Sequence, residues 1–349
     1  MRLSGVFLIA ALAMTSAPAA AQDTDPRIVI RDVVRDVLRA VPGGAYQGRD
    51  RGPEQTERFS RKVKLGRDGR VSVGNVSGNI VVTSGSGDEV SIEAVKHTRG
   101  DQSRLAAVRI VVEDRAGRVD IRTEYDNSRM FRNNNVSVDY TLTVPSGASV
   151  DMKSVSGDVK VTGVRGSVRA ETVSGNVTTI DTPKVEAAKS VSGDVMLSGI
   201  SIDGDLSAST VSGTVSAKGV KAHALDLGSV SGDIVVTDVT CDRLSAKSVS
   251  GGFEYTGTIT KGGVYDVNVH SGSVRFGLAN PSGFELSAST FSGNIRSDLP
   301  LTIGGDPRDR DGNSRRRGVS NRSMRATFGD GSATLTLRTF SGDIVIARR

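Results

Sequence analysis

The residues with the clearest potential for chemistry recur in one short motif, and they could form a ladder of metal-binding carboxylates. The motif is Val155-Ser156-Gly157-Asp158-Val159, and its Asp position holds an Asp or Asn in seven copies: Asn79, Asp158, Asn176, Asp194, Asp233, Asn294 and Asp343. A hard cation needs several oxygen ligands that converge on one point, and one carboxylate per copy is too few. The column therefore predicts recurrent turn residues, and we expect no metal site there.

A second group of candidate residues is basic and interrupts the spacing of the motif. It consists of seven arginines within a predicted insertion loop at about 303–326: Arg308, Arg310, Arg315, Arg316, Arg317, Arg322 and Arg325. Guanidinium groups pair with phosphates and carboxylates in a bidentate manner. Insertions in repeat arrays often carry the binding function. The predicted partners are anionic envelope glycans, lipid phosphates or another envelope protein, and the alternative is a solvated loop without a ligand.

Two other functions for this loop are disfavoured by its composition. Nucleic-acid binding usually interleaves aromatic residues with basic ones, and none interleave here. The run Asp309-Arg310-Asp311-Gly312-Asn313 lacks the closing Glu and the glycine position of an EF-hand loop. We predict no nucleic acid, no metal and no cofactor.

The residue types used in catalysis are scattered. His97, His223 and His270 are far apart in the sequence, and Cys241 lies in a predicted turn without a neighbouring base. No Gly-x-Ser-x-Gly nucleophile motif occurs. A polysaccharide lyase or hydrolase acting on one exposed sheet is the alternative, but the chain has no Trp to serve as a sugar platform. The prediction is a protein that is not an enzyme.

The elements that must position these residues follow from the period of the motif. Its turn glycines are Gly157, Gly175, Gly193, Gly213, Gly232, Gly251, Gly272, Gly293 and Gly342, and a further copy opens at Gly78. From Gly157 to Gly293 the successive differences are 18, 18, 20, 19, 19, 21 and 21 residues, whereas Gly293 and Gly342 are 49 apart. A nearly fixed period of this size predicts stacked repeats, with one insertion before the last copy.

Alignment of the repeats on their Ser shows four regular columns. The positions six and four before it are almost wholly apolar. The position two before it holds Ser or Thr except at Val269, and the position three after it holds Val, Ile or Phe. Because side chains alternate along a strand, this spacing predicts two short strands per repeat joined by the Ser-Gly turn. A parallel solenoid would stack identical residues, whereas an antiparallel meander would scatter them, so the solenoid is favoured.

The N-terminal part of the chain is predicted to direct export. Residues 1–21 combine Arg2, a short apolar run and Ala19-Ala20-Ala21, as in a cleaved signal peptide. Residues 22–57 contain a predicted short amphipathic helix followed by a linker, 58–150 an irregular N-terminal β region, and 151–349 the repeats. We expect no transmembrane segment after cleavage and a periplasmic, cell-surface or secreted location. The single cysteine excludes an intrachain disulfide.

The Ser-Val-Ser-Gly-Asp-Val motif, repeated within a valine-rich exported chain, resembles the bacterial putative-adhesin family of β-strand-repeat domains of unknown function. The resemblance covers about residues 58–349. It implies an all-β, right-handed parallel β-solenoid, which is a flattened β-helix with two strands per coil, and it supplies no catalytic motif. The predicted function is that of an exported, non-catalytic adhesin or envelope-associated protein, with an anion-binding scaffold or sensor acting through the arginine loop as a further alternative.

Overall fold

Strands form almost all of the regular structure in the computed structural model, which describes residues 53–99, 101–126, 135–279, 283–303 and 322–349. The all-β prediction is therefore confirmed. The predicted signal peptide, the amphipathic helix, most of the linker and the five arginines from Arg308 to Arg317 lie outside the described residues. The boundaries drawn at residues 57 and 150 stay predictions.

The described chain contains one short 3-10 helix, Gln102–Ala107, and 26 strands. In chain order the strands are β1 Gln55–Lys64, β2 Arg70–Ser77, β3 Ile80–Gly85, β4 Glu89–Thr98, β5 Val108–Arg115, β6 Arg118–Tyr125, β7 Ser137–Pro145, β8 Ser149–Ser156, β9 Val159–Thr162, β10 Val168–Ser174, β11 Val177–Ile180, β12 Val185–Ser192, β13 Val195–Ser198, β14 Asp205–Ser212, β15 Val215–Lys218, β16 Lys221–Ser231, β17 Ile234–Ser250, β18 Phe253–Gly257, β19 Val264–Ser271, β20 Val274–Leu278, β21 Phe284–Ser292, β22 Ile295–Ser297, β23 Thr302–Ile303, β24 Ser323–Phe328, β25 Ala333–Ser341 and β26 Ile344–Arg348.

The repeats stack in parallel, as the recurrence of identical residues predicts. The strand after each Ser-Gly turn pairs with its counterparts in neighbouring repeats, so that Val177 lies between Val159 and Val195 in what we call the first sheet. The strand before each turn does the same in the second sheet, where Ser174 lies between Ser156 and Ser192. The antiparallel meander is thereby excluded for these repeats, and the two sheets form a nearly closed, solenoid-like body.

The Ser-Gly turns approach each other too closely for any side chain at the glycine. Gly193 has a φ of +148°, and a Cβ added to it would lie 2.0 Å from the carbonyl oxygen of Gly175. Its N–H donates to the carbonyl oxygen of Ser212 in the next repeat, at 2.9 Å. The turn therefore needs glycine both for its backbone angle and for its contact with the repeat below.

Two side-chain ladders hold successive turns together. In most repeats the buried hydroxyl two residues before the Ser donates to the turn-glycine carbonyl of a neighbouring repeat, as in the 2.8 Å bond from Ser190 to Gly175. The Asp or Asn after the glycine accepts from the backbone N–H of its counterpart, as in the 2.7 Å bond from Asn176 to Asp158 Oδ1. Both ladders run between repeats, so the Asp column joins neighbouring turns through its side chains.

The core changes character along the stack. In the first repeats it includes small side chains such as Ala170 and Ala188. Towards the C-terminal end, large rings replace aliphatic side chains of other columns, since Tyr255 is the Cα partner of Val236 and Tyr265 that of Leu244. The Tyr255 ring lies 5.0 Å from Phe276 and 5.9 Å from Tyr265 between ring centroids. The Tyr255 hydroxyl donates to the carbonyl oxygen of Thr258 at 2.6 Å, so its buried polar atom is satisfied.

The spatial order of the repeats departs from the sequence order at the C-terminal end. Strand β19 pairs with β25, and β25 pairs in turn with β21. The same order holds in the first sheet, where β26 lies between β20 and β22. The last repeat in the sequence is therefore intercalated between the two repeats that precede it.

The N-terminal end of the stack is also intercalated. Strands β2 and β3 lie between β8 and β9 on one side and β6 and β7 on the other, although β6 and β7 come later in the chain. Antiparallel strands then cover the terminal pairs: β4 on β7, β1 on β4 and β5 on β6 at this end, and β24 on β21 at the other. The terminal strand β1 is mostly exposed and charged, which discourages edge pairing with another chain.

The first prediction concerns the stacked turns. Gly193→Ala should lower the free energy of unfolding by about 3 kcal/mol or more, because the new Cβ meets a backbone carbonyl at a backbone angle that disfavours any side chain. Urea unfolding followed by circular dichroism measures the change. Gly228→Ala is the matched control, since its Cβ would meet only Ser209 Cβ at 3.6 Å. Equal stability of the two variants would contradict the turn contact.

The second prediction tests the intercalated C-terminal repeat. In a Cys241→Ala background, Ser271→Cys with Ser341→Cys should form a disulfide on mild oxidation, because these residues are Cα partners on adjacent strands. Ser271→Cys with Ser292→Cys should not, because two strand spacings separate them by about 9.6 Å, beyond the reach of a disulfide. Mass spectrometry of the oxidised proteins distinguishes the pairs. A disulfide in the second pair alone would restore sequence order and refute the intercalation.

Candidate binding surface

Two of the seven predicted binding arginines lie in the described part of the chain, and both are at the C-terminal end of the second sheet. Arg322 directly precedes β24, and its carbonyl oxygen accepts a 2.7 Å hydrogen bond from the N–H of Thr290. Arg325 lies within β24 as the Cα partner of Ser287, on the outer face. The backbone pairing with β21 thus fixes where these two arginines leave the sheet.

A third arginine that the sequence did not single out lies on the same face. Arg338 is an exposed residue of the intercalated strand β25 and is the Cα partner of Asn268 on one side and Ser289 on the other. Because Ser287 and Ser289 are alternate residues of β21, Arg325 and Arg338 project from the same face on opposite sides of that strand. The end of the second sheet therefore carries the three arginines Arg322, Arg325 and Arg338, together with the exposed carboxylates of Asp266 and Glu285.

Beside these arginines, three rings form a continuous stack on the surface, which we call the aromatic ridge: His270, Phe340 and Phe291. The Phe340 ring lies 5.0 Å from that of His270 at an interplanar angle of 9°, and 4.8 Å from that of Phe291 at 4°. Phe340 is 49% exposed and Phe291 61% exposed. Each ring takes the position directly before the Ser of its repeat, at the edge where the second sheet turns into the first.

The ridge and the arginines are one surface. The guanidinium carbon of Arg322 lies 5.8 Å from the centroid of Phe291, within the range of a cation–π interaction. Stacking covers both faces of Phe340, and the outer face of Phe291 carries Arg322, so the ring edges are what the solvent meets. A platform for sugars needs free ring faces, and this arrangement lacks them at Phe340.

Sequence reasoning missed the ridge because each ring alone substitutes for a residue of a regular column. Most other repeats have valine there, including Val155, Val173 and Val191, and these valines are half-buried. The signal available was the change from Val to His and Phe in the last three repeats. The contact between the rings depends on the intercalation, since Phe340 reaches the middle of the ridge only through it.

A second charged cluster lies on the outer face of the second sheet, in the middle repeats. Glu171 is buried and is the Cα partner of both Lys153 and Lys189, and its carboxylate is 3.8 Å from Lys153 Nζ. Burial lowers the pKa of Lys189, while the charge of Glu171 acts in the opposite direction. The cluster is a short ion ladder along the stack, in which one carboxylate is shared by the ammonium groups above and below it.

The residues considered for catalysis are not brought together. His97, His223 and His270 lie in β4, β16 and β19, and His223 is paired with Asp242 at 3.1 Å. Within the five described ranges, no group of three or more His, Cys, Asp or Glu side chains is arranged to hold a metal ion. In the same ranges, no helix combines the length and apolarity needed to span a bilayer.

Cys241 lies in a strand, which corrects the prediction of a turn at this position. It belongs to β17 and is buried, and the hydroxyl of Tyr265 donates to its carbonyl oxygen at 3.0 Å. Val239 and Cys241 alternate inwards along one long strand, which runs through the position where the turn was expected. Burial, with a smaller contribution from the charge of Asp242, raises the pKa of the thiol to about 12. At neutral pH the thiol is therefore protonated and covered, which disfavours a role as nucleophile.

The third prediction concerns buried side chains that lose a proton at alkaline pH, namely the thiol of Cys241 and the hydroxyls of two tyrosines. Burial raises the pKa of Tyr140 as well, to about 12, and that of Tyr255 in the same direction. Such groups keep their protons in the fold at a pH where the unfolded chain has lost them, so stability falls as pH rises from the unfolded values towards about 12. The free energy of unfolding should fall by about 2 kcal/mol or more between about pH 8.5 and about pH 10.5.

Urea unfolding at both pH values, for the natural chain and for Cys241→Ala, measures this loss. The variant should lose less stability over the same interval, because it lacks one of the titrating groups. An equal loss in the two proteins would show that the thiol of Cys241 titrates normally in the fold.

Three solved structures are distantly similar to this chain. A protein described as a putative adhesin from Bacteroides fragilis is 16% identical, with a TM-score of 0.43, over 83% of this chain and 97% of its own. A putative adhesin from Parabacteroides distasonis is 14% identical with a TM-score of 0.38, over 84% and 97%. A putative lipid binding protein from the same organism is 12% identical with a TM-score of 0.44, over 84% and 96%. Similarities this distant assign no ligand.

A search of curated proteins finds no match. The model of the family called Toastrack DUF4097, a domain of unknown function, matches residues 69–347. This range includes both intercalated ends and every Ser-Gly turn of the chain. It extends the resemblance seen in the repeated motif to most of the chain, and the chain therefore belongs to the Toastrack DUF4097 family.

Proposed function

We propose that this protein is an exported, non-catalytic binding protein of the cell envelope, comparable to an adhesin, and that it binds an anionic envelope component through the C-terminal end of its solenoid. The observation that carries the proposal is the basic surface formed by Arg322, Arg325 and Arg338. Arg325 and Arg338 leave the outer face of the second sheet, and Arg322 lies over Phe291 beside them.

The chemistry of arginine favours an anionic partner with phosphate or carboxylate groups. A guanidinium presents its donors in a planar fork that matches both groups, and several such forks on one face bind a polyanion more strongly than one. The other predicted arginines, Arg308, Arg310, Arg315, Arg316 and Arg317, directly precede this surface in the sequence. We include them in the proposed binding region as the extension of the basic end.

The predicted export, location, partner class and finer fold of the protein are also part of the proposal. Export rests on the signal-like residues 1–21, and the destination is the periplasm, the cell surface or the medium. The partner is a glycan, a lipid phosphate or another envelope protein, and nucleic acid is not among the proposed ligands. The right-handed course and the division into two strands per coil are also proposed, and the alternation of repeats between two parallel sheets supports the second of these.

The fourth prediction tests the basic surface. Arg322→Ala, Arg325→Ala and Arg338→Ala together should weaken binding to an envelope fraction about ten-fold or more at low salt, because three cationic contacts are lost. Added salt should weaken binding of the natural chain and bring it towards that of the variant. Co-sedimentation with the envelope fraction over a salt series measures both effects.

The matched control removes the same charge elsewhere. Lys62→Ala, Lys160→Ala and Lys218→Ala replace three exposed lysines away from the C-terminal end and should leave binding within about two-fold. A second arm, Arg315→Ala, Arg316→Ala and Arg317→Ala, measures what the preceding stretch adds. Binding that is salt-insensitive and equal in the arginine and lysine variants would refute the proposed surface.

A further inference from the structure

We infer that the aromatic ridge is a membrane-inserting edge, which enters the interface of an anionic phospholipid bilayer while the arginines around it bind lipid phosphates. The inference rests on the proposed function, since it selects the lipid headgroup from among the anionic partners. It begins from His270, Phe340 and Phe291, which occupy three consecutive levels of the stack at centroid spacings of 5.0 and 4.8 Å.

The position of the ridge suits insertion. It follows the narrow edge of the body, where the second sheet ends in the Ser-Gly turns and the first begins. At this edge Phe340 and Phe291 project as large apolar side chains, whereas the corresponding Val155 and Val173 are small and half-buried. Exposed apolar groups that project from a narrow edge can enter the boundary between headgroups and acyl chains, where they leave water.

The orientation of the rings argues against a glycan as the occupant. Sugars stack on free aromatic faces, but both faces of Phe340 are covered by its neighbours, and the outer face of Phe291 carries Arg322. The edges of the rings remain, and these make non-directional apolar contacts. Acyl chains need only such contacts, because they have no donors or acceptors to satisfy.

The charges around the ridge complement an anionic membrane surface on both sides. On the second sheet, Arg338 lies two residues before Phe340 on the same face of β25. On the first sheet, Arg275 and Arg296 are exposed and are both Cα partners of Val345, five residues beyond Phe340. Basic residues close to a bilayer are attracted to anionic headgroups, and the long arginine side chains can reach them while the rings lie deeper.

Acidic side chains also lie in this region: Asp343, Glu254, which is the Cα partner of Arg275, and Asp266 and Glu285 on the outer face of the second sheet. Asp343 follows the turn glycine next to Phe340, and its Oδ1 accepts a 2.8 Å hydrogen bond from the N–H of Asn294. Its charge is thus partly compensated by the turn ladder. The cations nearest to the rings are Arg322, which lies over Phe291, and Arg338, two residues before Phe340. The surface has the combination of apolar ring edges and cations that interfacial membrane binding requires.

The decisive experiment compares vesicles with a soluble polyanion, using the full mature chain. Phe291→Val with Phe340→Val restores the residue that the other repeats have, so the fold should be kept. Partitioning onto vesicles of phosphatidylglycerol and phosphatidylcholine should fall about ten-fold or more, because two ring edges no longer insert. Binding to dextran sulfate should stay within about two-fold, because the arginines are unchanged. Met196→Ala, at an exposed apolar residue of the first sheet, is the matched control and should leave both unchanged.

A fluorescent reporter gives a readout that a merely structural role would not change. The chain has no tryptophan, so Phe340→Trp places a single indole on the ridge. Its emission should shift to the blue on adding phosphatidylglycerol vesicles and should be quenched by brominated acyl chains. Met196→Trp should show neither effect, and vesicles of phosphatidylcholine alone should shift neither protein.

The outcomes separate this inference from the proposed function. If the natural chain and the double Phe→Val variant bind vesicles equally, or the Phe340→Trp emission does not shift, the ridge does not insert, and polymer binding still supports the anionic surface. If the natural chain binds neither vesicles nor polymer, both are wrong. If the double variant instead abolishes self-association seen by analytical ultracentrifugation while vesicle binding is kept, the ridge is a contact between copies of the chain and the inference is overturned.

Discussion

The close passage of each Ser-Gly turn over the next is the constraint on which the other contacts depend. With Gly193 against the carbonyl of Gly175, the register between neighbouring repeats is fixed at one point in every level. Residues at a given offset from the Ser then lie on their counterparts near the turns, and the register shifts only farther away, as between Val168 and Arg169. Valine packs on valine, hydroxyls reach the glycine carbonyls and Asp158 accepts from the N–H of Asn176. The same register places the rings of the aromatic ridge about 5 Å apart, because this is the spacing of neighbouring strands in a sheet.

This constraint explains which part of the fold the sequence could predict. Identical residues at a fixed period contact each other only when the repeats stack in parallel. The columns around Gly157 and Gly175 therefore favoured parallel stacking over an antiparallel meander. The order of the levels at the ends was beyond such reasoning. Gly272 and Gly293 are separated by 21 residues, which is an ordinary repeat spacing, and nothing local to β25 shows that it lies between them. All repeats offer the same edge for pairing, so their order depends on tertiary packing.

The candidate binding surface could likewise be predicted only in part from the sequence. Arginines were visible in the sequence because their composition differs from that of the repeats, and two of them lie at the basic end of the second sheet. The ridge was invisible because His270 and Phe340 are 70 residues apart and each takes a place in a column of valines. Cys241 was misplaced for a related reason. The expected turn is absent because one long strand continues through this position, with polar residues such as Asp242 on its outward side.

The intercalated repeat also joins the scaffold to the proposed binding surface. Without β25 at its level, His270 and Phe291 would be the neighbouring rings, and both Phe340 and Arg338 would be missing from the edge. The repeat that closes the chain thus supplies the central ring and one of its cations together. A binding surface formed this way is complete only when the last strand has paired, so a partly folded chain presents neither the continuous ridge nor the full basic end. Folding and the capacity to bind are coupled through one strand, since the same backbone pairing that closes the stack aligns the three rings.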